Sequence, residues 1–262
     1  MTDADPMADE FDTMAAWTAE AVAELGPSHA IPAACRGSGS PAALEWLAAR
    51  LRLRPGMSLL DCGAGVGGPA ELAARRHLVA PVLAEPMAHA CRASARLFGR
   101  PVVVAAGDRL PFAAAVFDAA WSLGVLCTVE DQAALLAELR RVSRPGALVG
   151  LLVFLRTADQ LPEQPEGNHF RTAGELNGLL ARAGFAVVEQ AELADFAAAE
   201  PEWQAAADRV EAVIERRHGA DHRWQSAQHQ EQIIGQLISD GLVAGRLLVL
   251  EPAGQSGLRP PG

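Results

Sequence analysis

The apolar positions of this chain follow two alternating rhythms. Short, mostly apolar runs at 57–62, 82–85, 102–105, 116–121 and 148–155 suit buried strands. Between them, 67–76, 87–98 and 131–142 show helical spacing. Strands separated by helices of this length require crossover connections, and hence a mainly parallel sheet. Upstream, Phe11, Met14, Ala15, Val22 and Leu25 predict an amphipathic helix over 10–25. A loop over 26–40 ends in Gly37-Ser38-Gly39-Ser40. Ser40 is a good N-cap and Pro41 a good first residue for a helix reaching about residue 53.

After residue 155 the rhythm changes. A polar loop with Pro162 and Pro165 covers 156–169, a helix covers 172–183, and Gly184 stops it. A strand follows at 185–193, then a largely helical stretch at 195–244 and a closing strand at 245–251. The tail from residue 252 is expected to fray. The chain thus divides into an N-terminal lid (1–40), a core (41–194), a helical insert or cap (195–244), and a last strand with its tail (245–262).

Half of the 262 residues are hydrophobic and 21% are charged, which supports a sizeable core. A net charge of −10 argues against nucleic acid as the main partner, because phosphate binding needs a basic face. No apolar run approaches the roughly 18 residues of a membrane span, and the acidic N-terminus lacks the marks of a secretion signal. The expectation is a cytoplasmic chain. It contains no tyrosine and no lysine, which excludes lysine Schiff bases and lysine-dependent phosphate loops. The four cysteines form no CxxC pair, so neither zinc nor a disulfide framework is expected.

The richest stretch is Asp61-Cys62-Gly63-Ala64-Gly65-Val66-Gly67-Gly68, where a buried strand runs through alternate glycines into a helix. Glycine permits positive φ and close approach of a ligand, and a helix N-terminus favours polar groups. The glycines fit GxGxG and, through Gly68, also GxGxxG, so alone they do not choose the cofactor. Glu85 ends the next strand, where an acid can accept from ribose hydroxyls. A third acid, Asp108, stands in Gly107-Asp108-Arg109-Leu110-Pro111-Phe112, and Phe117-Asp118 opens the fourth strand. Singly, Asp61 could cap a turn and Glu85 could be a solvated strand end. Three acids at successive strand ends argue for a shared ligand, since clustered carboxylates repel.

With Gly67-Gly68-Pro69 and Glu138-x-x-Arg141-Val142-x-Arg144-Pro145-Gly146, this set resembles the class I S-adenosylmethionine (SAM)-dependent methyltransferases, in particular the small-molecule branch. The resemblance covers about 42–193. It implies an α/β, Rossmann-like, seven-stranded and mostly parallel sheet with one reversed strand. It further implies SAM at the carboxyl edge, with S-adenosylhomocysteine (SAH) as product, and a setting in specialised metabolism. By resemblance, Asp61, Gly63, Gly65 and Gly67 meet the methionine half and Glu85 the ribose. Pro86 and Met87 lie against the adenine, and Gly107, Asp108 and Arg109 bind its edge. Ser122 and Leu123 line the methyl-transfer side. Family members often carry a histidine pair in the following loop; Cys127 and Thr128 stand there instead, so no catalytic histidine is carried over.

Arg36 is within plausible reach of the methionine carboxylate, although a surface arginine is an equal reading. His29 and His169 are the candidate general bases for an acceptor that keeps its proton. His218, His222 and His229 could share a helix face, but Arg216, Arg217 and Arg223 nearby would repel a metal cation. Phe11, Met14, Trp17, Phe170, Trp203 and Trp224 could wall a small-molecule acceptor. The sequence is silent on oligomeric state. Two alternatives stay open: non-methyl chemistry such as cyclisation on the same fold, or nonenzymatic SAM binding.

Overall fold

The central strand shows why this sequence folds as a layered sheet. In β1 (Ser58–Cys62), Leu59 and Leu60 point to opposite faces, and both are fully buried. Leu59 packs with Leu44 and Leu47 of α3 (Pro41–Arg50) and Leu72 of α4 (Gly68–His77). Leu60 packs with Leu135 and Leu139 of α6 (Gln132–Val142) and Leu176 and Leu180 of α7 (Ala173–Arg182). Helices therefore cover both faces, as a parallel sheet requires. The computed structural model describes residues 6–253; the tail beyond lies outside the described residues.

The other strands are β2 (Ala80–Glu85), β3 (Val102–Val104), β4 (Phe117–Leu123), β5 (Ser143–Arg156), β6 (Phe185–Glu192) and β7 (Val243–Pro252). Their spatial order is β3-β2-β1-β4-β5-β7-β6, with β7 antiparallel to both neighbours. This is the α/β, Rossmann-like sheet with one reversed strand that the sequence led us to expect. Its order reverses beside β1, which opens a crevice at the carboxyl ends of β1, β2 and β4.

Three elements differ from the sequence reading. The 26–40 loop contains a 3-10 turn (Pro27–His29) running into a short helix, α2 (Ala30–Ala34). Strand β5 begins five residues early, because Ser143 pairs with Phe117 ahead of an irregularity in the ladder. The helical stretch is two helices, α8 (Pro201–His218) and α9 (His222–Ser239). His218 ends one and His222 begins the other, so His218 does not share a helix with His222 and His229.

Helix α1 (Pro6–Leu25) joins the core to this pair. Ala15 and Ala19 pack on Ala90 and Ala93 of α5 (Ala88–Phe98). Trp17 and Ala21 pack with Val210, Val213 and Trp224 of α8 and α9. Trp17 also stacks on His218 at 4.0 Å between centroids.

Two of the motifs work at a distance from the crevice. Asp118 accepts from the Ser58 amide and hydroxyl, both at 2.8 Å, and pairs with Arg144. This ties β1, β4 and β5 at their amino ends, and the Ser58 amide leads in holding the Asp118 carboxyl below its usual range. Glu138 accepts from the Leu110 amide at 2.7 Å, while Arg141 donates to the carbonyls of Phe112 and Leu110 at 2.7 and 3.0 Å. The Glu138-x-x-Arg141 motif is thus the lock on the loop that carries Asp108.

Candidate cofactor and acceptor site

The glycine-rich turn after β1 is built mostly by close packing. A Cβ on Gly63 would lie 2.4 Å from Val125, and one on Gly67 would lie 2.5 Å from Leu83. On Gly68 it would lie 2.4 Å from the Ala34 carbonyl carbon, because α2 presses its backbone onto the turn. Gly65 differs. Its φ is +52°, and a Cβ there would meet nothing within 4 Å. Of these four glycines it alone opens onto free space, where a ligand can approach.

Beside that opening stands Glu85, 4% exposed at the carboxyl end of β2. One carboxylate oxygen accepts from the Gly65 amide at 2.7 Å, the other from the Met87 amide at 3.0 Å. Burial raises its pKa, and these two amides counter the rise. Each oxygen retains a further lone pair for a hydroxyl donor. Met87 is half-buried against the Ala15–Ala19 face of α1, together with Val66 of the glycine turn. Pro86 is exposed.

Asp61 lies deeper, 2% exposed, with one carboxylate oxygen lacking a hydrogen-bond partner. It pairs in register with Trp121, whose indole N–H is equally orphaned. Burial pushes Asp61 up to about 7; the indole N–H, though outside bonding geometry, offsets part of the rise, and Glu85 adds to it. A buried carboxylate with spare acceptor capacity beside Gly65 and Glu85 fits a polar, partly cationic ligand such as SAM.

The remaining predicted residues separate into groups. A Cβ on Gly107 would lie 3.0 Å from Cys62 and Leu135, with Asp108 and Arg109 exposed beyond it in the turn after β3. The Ser122 hydroxyl is spent inside the sheet, donating to the Cys62 carbonyl at 2.9 Å. Leu123 is 7% exposed and belongs to the core. Both side chains are thus packed within the sheet. Arg36 bridges Glu211 of α8 and Glu231 of α9, so the cap acids match its charge. His29 bonds within its own turn, to Gly26 and Ser28. The His169 amide donates to the Cys127 carbonyl at 2.6 Å, which fixes this exposed histidine against the loop after β4. The two candidate bases are thus held by unrelated parts of the fold.

Sequence reading missed several neighbours of the site. Asp12 of α1 accepts from the His89 and Ala90 amides at 2.6 and 2.9 Å. Val125 fills the space that Gly63 leaves. Glu10 is 7% exposed, its pKa raised by burial, and Ser226 of α9 offsets part of the rise. A cavity of about 360 Å³ lies between α1, α2, the 36–41 loop and α8. A second void of about 10 Å³ near Trp121 is too small for a ligand. Among the described residues no cluster of three His, Cys, Asp or Glu side chains is placed to hold a metal.

Residues 60–151 match the model of a methyltransferase domain. The chain is 30% identical over 171 residues to a 24-methylenesterol C-methyltransferase of Oryza sativa subsp. japonica, covering 57% of this chain and 47% of that one. It therefore spans about half the length of that curated relative. Among solved structures, the [4+2]-cyclase SpnF superposes with a TM-score of 0.63, at 22% identity and 80% coverage of both chains. A cyclopropane synthase of Mycobacterium tuberculosis gives 0.63, at 17% identity, covering 80% and 82%. A geranyl diphosphate C-methyltransferase of Streptomyces coelicolor, solved with SAH, gives 0.60 at 16% identity, covering 81% and 76%. The family match thus lies within the core of this chain, and the solved structures share its fold.

Proposed function

We propose that this chain is a methyltransferase that moves the SAM methyl group to a small organic acceptor. The observation that carries the reading is the Glu85 carboxylate, anchored by the Gly65 and Met87 amides beside the open face of Gly65. Bound SAM supplies a methyl carbon on a sulfonium, which the acceptor's nucleophile takes as the sulfur leaves with the bonding electrons.

The chain's own residues bind, orient and exclude water. Glu85 accepts from the ribose hydroxyls, Met87 packs on the adenine, and Asp108 accepts from its amine. Asp61 serves the methionine end. Helix α1 is the lid, and its contacts with Val66 and Met87 support a lid over the cofactor as well as the acceptor. Helices α8 and α9 form the cap, and the cavity beneath them is the acceptor chamber. Such enclosure lowers the barrier by alignment and desolvation.

His169 is the stronger candidate for general base, supported by the bond that holds it beside Cys127. His29 is the weaker, since its ring bonds inside its own turn. We place the protein in the cytoplasm and in specialised metabolism. Four free, buried cysteines support a reducing compartment; the metabolic setting rests on the family resemblance. No helix among the described residues is long and apolar enough to cross a membrane.

The likeness to a [4+2]-cyclase favours one second reading, cyclisation without methyl transfer. Incubation of the chain and an acceptor library with methyl-labelled SAM decides. Label in the acceptor with release of SAH supports methyl transfer. An altered acceptor without label supports cyclisation.

A further inference from the structure

The acceptor chamber has a charge pattern of its own. Its wall includes Trp203, Val210 and Ile214, the latter two buried in the contact between the cap and α1. Three carboxylates, Asp208, Glu211 and Glu231, line the same cavity with a single guanidinium, Arg36.

That guanidinium is fixed from two sides. The preceding residues, Ala34 and Cys35, press on Gly68, and the following residue places its carbonyl 3.3 Å from where a Gly124 Cβ would lie. Arg36 thus leaves the main chain between the glycine turn and the end of β4. From there it reaches Glu211 at 3.3 Å and also pairs with Glu231. Asp208 is outside this bridge and accepts from Gln204 at 2.7 Å. The chamber is therefore a concave, partly apolar space with an excess of negative charge.

An excess of one sign of charge in a cleft attracts the opposite charge and repels its own. A volume of about 360 Å³ lies at the small end of the range for ligand pockets, which suits a compact molecule. We infer that the chamber selects a compact acceptor with an apolar body and a protonated amine, held by Glu211, Glu231 and Asp208, and rejects carboxylates and phosphates. This rests on the methyltransferase reading for the word acceptor only. The amine is the recognition handle, wherever the methyl group goes.

Calorimetric titration of the full chain with phenethylammonium and with hydrocinnamate tests the inference. The two probes share a ring and nearly a length but differ in charge. Both are titrated with and without SAH. Expected is ammonium binding at least about tenfold tighter than carboxylate binding. The Glu211→Gln/Glu231→Gln double variant should lose about tenfold for the ammonium. Asp208→Asn leaves the Arg36 bridge intact and should lose about threefold, with SAH affinity unchanged in both variants. Equal binding of the two probes, no ammonium binding, or unchanged ammonium affinity in both variants overturns the inference. Failure of SAH to bind the native chain instead overturns the methyltransferase reading, while the charge preference is still read without SAH.

Discussion

Asp12 and His89, 77 positions apart, are joined twice: one Asp12 oxygen accepts from the His89 amide at 2.6 Å, the other from its ring Nδ1 at 2.7 Å. The first oxygen also accepts from the Ala90 amide. Asp12 is thus the N-terminal cap of α5, supplied from another helix. Because α5 begins three residues after Glu85, the same carboxylate ties α1 to the loop that follows Glu85.

Asp12→Ala leaves two amide donors at a helix start without their acceptor. The expected loss is about 1–2 kcal/mol, read as a lower urea midpoint. SAM affinity should fall with it, because the Glu85–Met87 loop loses its anchor. Normal SAM affinity in a destabilised Asp12→Ala chain would separate the lid from the cofactor site.

Glu85→Ala removes a charged acceptor for two hydroxyls and for two backbone amides. SAM affinity should drop by about ten- to a hundredfold, at roughly 1.5–3 kcal/mol for a hydrogen bond to a charged group. Calorimetry on the folded variant checks this, and unchanged affinity would remove Glu85 from the site.

Gly65 and Gly68 should fail in different ways. Gly68→Ala drives a methyl group into the Ala34 backbone and should cost about 1–3 kcal/mol of stability. Gly65→Ala meets no protein atom and carries only the penalty of its positive φ, about 1 kcal/mol. Its methyl group would project toward the cofactor, so binding should suffer more than folding. Thermal melting and SAM titration of both variants read the two effects separately.

Asp61 makes stability depend on pH with a definite sign. Its native pKa is about 7, above the ordinary 3.8, so the native state holds a proton that the unfolded chain has released. Stability should therefore fall as pH rises from about 4 to about 7 and level off beyond, by an amount on the order of a few kcal/mol. Asp61→Asn removes this slope. Urea denaturation across that window should show the variant gaining on the native chain as pH rises. Parallel curves would show that Asp61 ionises freely in the fold.

The sheet and the acids at its strand ends were legible because their signals are local. Asp61, the glycine turn and Glu85 lie on consecutive strand ends, and each apolar run announces its strand. The partners were not legible. Nothing near Asp12 points to His89, and nothing near Arg36 points to Glu211 and Glu231. Gly68 completes a GxGxxG pattern in sequence, yet a helix 34 positions upstream explains it. Ser122 and Leu123 follow the right strand, but the pleat and the neighbouring strands bury their side chains. Periodicity shows that α1 has an apolar face but not that this face covers α5 and the α8–α9 pair.

The cap's two stems carry a consequence for how such a chamber changes over generations. Helices α8 and α9 leave from β6 and return through β7, and near that exit Glu192 pairs in register with Arg246, with an ion pair at 2.6 Å. The whole cap is topologically a loop between two adjacent antiparallel strands, closed at its neck before any cap residue begins. Its length and composition can be exchanged by grafting at that neck while the ladder below keeps its register. The cavity beneath the cap can then be remodelled by insertion and recombination, and the strand ends that carry Asp61, the glycine turn and Glu85 are left untouched.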